Sequence, residues 1–199
     1  MITKGYILEC QSDGMDIFDA IYGRSSVRRY KKEKVPEKDV EEILKAGFHA
    51  ANGMNAQALR FVVMQDQKKI SEFSNKARLT LLNSGANFPP HIMERMKDPS
   101  MDIFHGAPSL IFIFASPEAL TPVEDGSLAA GNIMLAAHAM GYGTCFIGFA
   151  GALGNDPEFR KECNVPEDHR HIACLLLGKP EGDVEKHPRS DVKILKWMK

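Results

Sequence analysis

The sequence has no excess of charge of either sign. Its 199 residues include 25 lysines and arginines against 26 aspartates and glutamates, a formal net charge of -1. A protein that binds nucleic acid or an anionic membrane surface usually carries a strong basic balance. Its absence argues against both partners, so a local basic cluster in this chain is better explained by a small anion.

Cysteine is sparse, and its spacing does not suggest a disulfide framework. The four cysteines have no paired spacing: Cys10, Cys145, Cys163 and Cys174. The first 14 residues also lack the long apolar core of a secretory signal peptide. We therefore expect a reduced, cytoplasmic protein. Residues 1–14 are predicted to be an extension whose role stays open, and residues 15–199 a single domain.

The sequence also lacks a convincing metal-binding pattern. Cys163, His169, His171 and Cys174 come closest to a zinc set, but no Cys-x-x-Cys element is present. Cys174 falls on the opposite face of the predicted strand from the two histidines. We expect no bound metal. Cys145 lies in an apolar stretch and is predicted to be a buried, unreactive thiol.

One long stretch lacks Asp, Glu, Lys and Arg, from Gly126 to Asn155. Its length raises the question of a membrane span, but Asn132 and His138 lie inside it and two glycines divide it. A core helix at Ser127–Met140 and a buried strand at Tyr142–Phe149 explain it better. Because nearly every face of this helix is apolar or small, it should be covered on all sides. In so short a chain, such burial predicts a second subunit.

The remaining patterns predict helices that alternate with a few buried strands. We found no repeats and no low-complexity tracts, and we expect residues 83–100 to be irregular. An α+β or three-layer α/β sheet domain fits this order of elements. The predicted helices are Asp16–Tyr22, Glu37–Phe48, Lys68–Leu82 and Asp156–Cys163, and the further strands are Phe61–Met64, Ala107–Ala115 and His171–Leu177.

A basic segment follows the first predicted helix. In an extended chain Arg24, Ser26 and Arg28 share one face and present two guanidinium groups around a hydroxyl. Such a face suits a phosphate. On charge pattern alone, a solvated basic stretch is the favoured interpretation.

A second segment, at the junction of a helix and a strand, is rich in amides. Asn52, Asn55 and Gln57 can each donate and accept hydrogen bonds, as the edge of a flavin or nucleobase ring requires. Amides at such junctions are often only turn residues. Taken with the arginines, they point to a phosphorylated flavin.

With these motifs in order, the chain resembles the nitroreductase family of flavin-dependent NAD(P)H oxidoreductases. The resemblance runs from about Met15 onward and has four landmarks: Arg24 to Arg28, Asn55 to Gln57, the Gly-x-Gly-Thr stretch with Ile147-Gly148-Phe149, and Leu177-Gly178-Lys179-Pro180 with Arg189. It implies a three-layer α-β-α sandwich with a mostly antiparallel sheet and an interlocked homodimer. The glycines at 141 and 143 do not form a Rossmann site, because a strand rather than a helix follows them.

The resemblance also implies the role of each site residue. Arg24, Ser25, Ser26 and Arg28 would hold the phosphate, ribityl chain and pyrimidine edge of FMN, and Arg189 would join them at the phosphate. Backbone at Ile147 and Gly148 would run beside the reactive edge of the flavin. Asn52 to Asn55 would reach the flavin of the other subunit, so that each site is built by two chains, and Gln57 is a further candidate for cofactor binding.

Some assignments stay open. A further contact to the flavin ring could come from Asn75, Asn83 or Asn87, and Lys186 or His187 could assist Arg189. Many relatives have Pro-Ser before the asparagine and Pro-Trp after the glutamine, where this chain has Ala51-Asn52 and Ala58-Leu59. This departure concerns the shape of the substrate pocket rather than flavin binding.

The function expected from the resemblance is ping-pong transfer of hydride from NADH or NADPH, through flavin N5, to an electron-poor acceptor. A nitroaromatic or a quinone would be such an acceptor. An alternative from another class is a flavin-binding or sensory module without turnover. A third is a specialised family enzyme that fragments flavin or removes halide, for which the sequence offers no positive sign.

Overall fold

The computed structural model describes residues 14–199, so the predicted extension lies outside the described residues except for Gly14. Helices and strands alternate along the chain, as the sequence pattern predicts. The helices are α1 (Ile17–Gly23), α2 (Glu37–Phe48), α3 (Gln67–Asn83), α4 (Pro90–Lys97), α5 (Pro122–Ala139), α6 (Gly151–Gly154) and α7 (Pro157–Glu162). The strands are β1 (Leu59–Met64), β2 (Ser109–Ala115), β3 (Gly143–Phe146) and β4 (Arg170–Gly178).

The four strands form one antiparallel sheet in the order β1-β2-β4-β3. Strand β2 lies inside the sheet and all seven of its residues are buried. Its consecutive apolar residues predict this, because a strand covered on both faces needs no polar alternation. The register of β2 against β4 shifts between Ile113 and Phe114.

The two faces of the sheet are covered by different helices, which gives three layers. On one face Phe112 and Leu176 pack with α3, α6 and α7, and on the other Ile111 and Leu175 pack with α2 and α5. Alternate residues of each strand therefore belong to different cores. The predicted α+β class and three-layer architecture are confirmed in the chain described here.

Three predicted boundaries need correction. Residues 83–100 contain α4, which begins where Pro90 occupies its first turn, a position that tolerates proline. Helix α5 begins at Pro122, earlier than the predicted Ser127, because Glu124 and Asp125 favour the positive end of a helix. The predicted strand Tyr142–Phe149 ends at Phe146, and a short 3-10 turn at Gly148–Ala150 leads into α6.

Helix α5 is only partly covered within one chain. Ala130 and Ile133 are buried against α2 and the sheet, whereas Leu128 is 51% exposed and Val123 is 43% exposed. The predicted covering by a second subunit stays a prediction. Among residues 14–199, no helix has both the length and the apolar character that crossing a membrane requires.

Candidate functional site

The basic segment from Arg24 to Arg28, called the arginine segment below, runs as an extended chain beside the edge of the sheet. Ser26 forms a parallel bridge with Thr144 at the start of β3, where the amide of Val27 donates to the carbonyl of Thr144 over 2.9 Å. Val27 and Tyr30 are buried, and the Tyr30 hydroxyl donates to the Val27 carbonyl over 2.5 Å. These two anchors leave Ser26 and Arg28 exposed on the other side of the segment.

A basic cavity of about 170 Å³ opens on this exposed side. Tyr22 and Ile21 supply its apolar wall, and no aspartate or glutamate of the described chain lines it. Its polar lining, which defines the basic cavity, is Arg24, Ser25, Ser26, Arg28, Lys186, His187 and Arg189. Among residues 14–199, Arg24, Arg28 and Arg189 have no carboxylate oxygen within 4.0 Å. Their N–H groups are therefore available to an anion, and the donor set fits a phosphate.

A second cavity, of about 340 Å³, lies where β3 ends, and we call it the strand-end cavity. It shares Arg28 with the basic cavity. Ile147, Gly148 and Phe149 line its floor. A Cβ atom added at Gly148 would meet nothing within 4 Å, so the space above this backbone is open. A flat apolar ring could approach the chain closely here.

The amide turn, residues 52–57, lies elsewhere, between α2 and β1. Met54, Asn55 and Gln57 all have positive φ angles, of 53°, 55° and 51°. Non-glycine residues seldom adopt this conformation, and a cluster of three indicates stored strain. The turn is held by Asn52 Oδ1, which accepts from the Gln57 amide over 3.0 Å, and by the buried Asp125, whose Oδ1 accepts from the Gly53 amide over 2.9 Å.

The sequence of residues 21–179 matches the Nitroreductase family. The match covers the arginine segment, the amide turn and the whole sheet. The chain belongs to the nitroreductase family.

Several nitroreductase relatives match over most of their length. The chain is 29% identical over 189 residues to an iodotyrosine deiodinase of Thermotoga neapolitana, covering 89% of this chain and 96% of the relative. It is 26% identical over 184 residues to an FMN reductase [NAD(P)H] of Bacillus subtilis, covering 87% of this chain and 70% of the relative. A crystal structure of a Bacteroides fragilis nitroreductase with bound FMN superposes with a TM-score of 0.80 at 25% identity, covering 92% of this chain and 100% of that one.

These comparisons confirm the predicted family and fold. Within this nitroreductase chain, the basic cavity brings together the predicted Arg24, Ser25, Ser26, Arg28 and Arg189. Lys186 and His187, which the sequence left open, lie beside them. The predicted Ile147 and Gly148 lie in the strand-end cavity, which meets the basic cavity at Arg28.

The amide turn does not join them within one chain. Asn52, Asn55 and Gln57 line neither cavity. Their predicted role, contact with the flavin of a second subunit, stays a prediction. Of the open ring contacts, Asn75, Asn83 and Asn87 also line neither cavity. Asn75 Oδ1 instead accepts from Arg78 Nη2 over 2.7 Å.

Two residues that sequence reasoning missed, Arg95 and His105, line the strand-end cavity together with Arg28. Arg95 was hidden because α4 fell in a region predicted to be irregular. The only local signal at His105 is the glycine that follows it, typical of a turn. Burial lowers the pKa of His105, and the positive charges of Arg28 and Arg95 lower it further, against the opposing charge of Asp102.

A third cavity, of about 640 Å³, adjoins the basic cavity through Arg24 and Ser25. His138, at the end of α5, lines it, and burial lowers the pKa of this histidine, with a further contribution from Arg24. The Nε2 atom of His138 would lie 3.0 Å from a Cβ added at Gly23. A larger residue at position 23, where α1 ends, would therefore press on the side chain of His138.

The three cysteines of residues 14–199 show no features of reactive thiols. Cys145 and Cys174 are buried in the core of the sheet. Burial raises the pKa of Cys174 well above its ordinary value and that of Cys163 to about 11. Within residues 14–199, no group of three or more His, Cys, Asp or Glu side chains is arranged to hold a metal ion.

Proposed function

We propose that this nitroreductase is an FMN-dependent oxidoreductase that uses NADH or NADPH to reduce an electron-poor acceptor. The observation that carries the proposal is the meeting of two cavities at Arg28. One offers arginines and hydroxyls, with no carboxylate of the described chain in its own lining, as a phosphate requires. The other offers apolar walls and open backbone, as a flat ring requires.

Each group of residues has a proposed role. Arg24, Ser25, Ser26 and Arg189 hold the phosphate and the ribityl chain, because charged and hydroxyl donors there face an anion. Arg28 lies where the phosphate side meets the ring side, and its charge favours the reduced, anionic form of the cofactor. The backbone of Ile147 and Gly148 orients the reactive edge.

When bound, FMN would accept hydride from the nicotinamide and pass two electrons to the acceptor. For a quinone the overall reaction is quinone + NAD(P)H + H⁺ → hydroquinone + NAD(P)⁺, which balances in atoms and charge. The chain supplies a pocket that both substrates can use in turn, which is the basis of a ping-pong mechanism. We further propose a homodimer in which Asn52, Asn55 and Gln57 reach the partner's cofactor.

The test is the absorbance spectrum of the purified protein before and after anaerobic addition of NADH or NADPH. We expect a flavin band that bleaches, and reoxidation when menadione is added. A band that does not bleach would favour the binding module without turnover. No band even after FMN is supplied would overturn the cofactor assignment.

Two variants test the assignment of the basic cavity. Arg24→Ala and Arg189→Ala should each weaken FMN binding at least tenfold, because each removes a charge-assisted contact to the phosphate. Arg29→Ala is the matched control: Arg29 directly follows the arginine segment but does not line the basic cavity. Equal FMN affinity in all three variants would remove the site assignment.

A second candidate function is reductive removal of halide from an iodinated phenol. Its support is the likeness to the iodotyrosine deiodinase of Thermotoga neapolitana, which extends over 96% of that relative. The balanced reaction is Ar–I + NAD(P)H → Ar–H + I⁻ + NAD(P)⁺. Iodide release from 3-iodotyrosine, compared with menadione reduction under the same conditions, separates the two functions.

A further inference from the structure

One half of the strand-end cavity has no role in the function proposed above. Arg95 from α4 and His105 from the turn before β2 line it. Like Arg28, Arg95 has no carboxylate oxygen within 4.0 Å among residues 14–199, and no acidic residue of the described chain lines the cavity. The rest of the lining includes the apolar side chains Ile92, Met101, Ile103 and Phe149. A cavity lined by both positive charge and apolar side chains suits a ligand with an aromatic ring and a negative charge.

The turn that carries His105 is firmly built. Asp102 accepts hydrogen bonds from the amide of Phe104 over 2.8 Å, the amide of Gly106 over 2.6 Å and the hydroxyl of Ser74 over 2.7 Å. His105 itself has a φ of 54°, in the left-handed region that non-glycine residues seldom adopt. The turn therefore holds the backbone of His105 in a costly conformation at the cavity wall, where strain often marks a functional residue.

The helix that carries Arg95 is also fixed. The neighbouring Met96 is fully buried, and its carbonyl accepts from Nη1 of the buried Arg78 over 2.7 Å. Arg95 thus projects from a helix end that is tied to α3. A cationic group on an anchored element loses less entropy on binding than one on a free loop.

Arg95 and His105 are separate from the phosphate-binding set. They share no cavity with Arg24, Ser26 or Arg189, and only Arg28 lines both spaces. One phosphate held in the basic cavity would leave Arg95 without an anionic partner. The lowered pKa of His105, caused by burial and by Arg28 and Arg95, agrees with a locally positive potential.

We propose that Arg95 and His105 form a specificity subsite for the carboxylate of an aromatic acceptor. The inference rests on the proposed function, because the acceptor would contact the flavin ring of the proposed cofactor. Arg95 supplies a forked cation that matches a carboxylate, and His105 supplies a ring N–H. The apolar residues between them contact the aromatic ring. The preferred acceptor is therefore an aryl carboxylate rather than its neutral amide.

The kinetic test uses 4-nitrobenzoate and 4-nitrobenzamide, which differ in charge but hardly in shape. In Arg95→Gln, kcat/KM for 4-nitrobenzoate should fall at least tenfold, mostly through KM, while kcat/KM for 4-nitrobenzamide stays within twofold. Arg95→Lys should restore part of the loss. Lys97→Gln, an exposed residue of the same helix that does not line the cavity, is the matched control. Equal losses for both acceptors would overturn the subsite.

A binding measurement separates the subsite from the proposed function. Benzoate added to the protein without NAD(P)H should raise the pKa of His105, because a nearby anion favours imidazolium. The pKa is measured by NMR, with His105→Gln used to assign the His105 signal. Benzamide should leave the His105 pKa unchanged. In Arg95→Gln, the benzoate concentration needed to shift this pKa should be at least tenfold higher. A pKa shift with benzoate in a protein that turns over no acceptor would contradict the proposed function and support the subsite. Normal turnover in a protein whose His105 pKa does not respond to benzoate would contradict the subsite and leave the proposed function in place.

The affinity for FMN supplies the remaining control. Arg95→Gln should bind FMN as tightly as Lys97→Gln, within twofold. A larger loss in Arg95→Gln would show that Arg95 contacts the cofactor, and the proposal of a separate acceptor subsite would then be wrong.

Discussion

Gly143 and Val27 are in contact where the arginine segment crosses the start of β3. A Cβ atom added at Gly143 would lie 2.5 Å from Cγ2 and 2.7 Å from Cβ of Val27, distances that real Cβ atoms do not show. Gly143→Ala should therefore push the segment away from the sheet. We expect a loss of about 1 to 3 kcal/mol in the free energy of unfolding, typical of overpacking, with weaker FMN binding. Urea denaturation and FMN titration measure the two effects.

Gly151→Ala is the matched control for this prediction. Gly151 has φ of -55°, and a Cβ atom there would meet nothing within 4 Å. This variant should be neutral or slightly stabilising, because alanine favours a helix over glycine. Equal stability of the two variants would show that the segment is not fixed against Gly143.

His171 makes the stability of the protein depend on pH. It packs against Phe114 with ring centroids 5.3 Å apart, and burial lowers its pKa to about 4, with Arg160 adding to the effect. An unfolded histidine titrates near 6.5, so the unfolded chain gains its proton first as pH falls. The free energy of unfolding should therefore decrease between about pH 6.5 and 4, by up to about 3 kcal/mol from this residue.

The variant His171→Leu isolates this contribution. It cannot titrate, so its free energy of unfolding should change less than that of the natural protein between pH 7 and 4. His91→Gln, which replaces an exposed histidine, should keep the natural pH dependence. Parallel curves for the natural protein and His171→Leu would contradict the prediction.

At the scale of secondary-structure elements, Arg78 joins α3 to α4. Its guanidinium is buried, donating to the Met96 carbonyl and to Asn75 Oδ1, both over 2.7 Å. Arg78→Met removes both donors and leaves the Met96 carbonyl unsatisfied, at a cost of about 1 to 3 kcal/mol. The end of α4 should loosen, which hydrogen exchange of residues 90–97 would detect as faster exchange.

Arg60→Met is a control of the same chemistry at an exposed site. Arg60 donates to backbone carbonyls of Gln57 and Leu59 within its own neighbourhood and does not tie two helices together. Arg60→Met should leave the rate of hydrogen exchange in α4 unchanged. Unchanged exchange in Arg78→Met as well would show that α4 is held by Met96 alone.

Element boundaries were predictable to different degrees. The bounds of α2 agree with the prediction, because Pro36 and Glu37 mark its start and the apolar positions recur at helical spacing. Helix α4 was missed because its short pattern lies among prolines, and its position depends on the buried Arg78 and Met96. The charges before Ser127 concealed the first turn of α5, although acidic residues favour that position.

At the scale of the whole molecule, the described chain has uncovered apolar surface. Residues 181–199 form no helix or strand and are exposed throughout, with Trp197 70% exposed and Val192 89% exposed. On α1, Phe18 is 60% exposed and Tyr22 79% exposed. Large apolar side chains exposed in this number are typical of an interaction site, and we predict that they are covered in a homodimer.

This prediction is testable through the concentration dependence of stability. A folded dimer is stabilised by mass action, so Tm should rise with protein concentration. Removing residues 191–199 retains Arg189 but removes the apolar end of the tail, including Val192 and Trp197. We expect the dimer of the shortened chain to dissociate at a protein concentration at least tenfold higher than the dimer of the full chain, as measured by sedimentation. A protein that is monomeric at every concentration would contradict both the dimer and the proposed sharing of sites.

The sequence was enough to identify the family and the alternation of helices and strands, and it also predicted the basic and amide residues of the proposed site. It could do so because helical periodicity, consecutive apolar residues and motif order are properties of short segments. Which of these residues meet depends on the three-dimensional fold. Pairing of Ser26 with Thr144 brings the arginine segment alongside β3, and the return of the chain to Arg189 completes the basic cavity. Arg95 and His105 join Arg28 through contacts between segments far apart in the chain, and such contacts leave no periodic signal in the sequence.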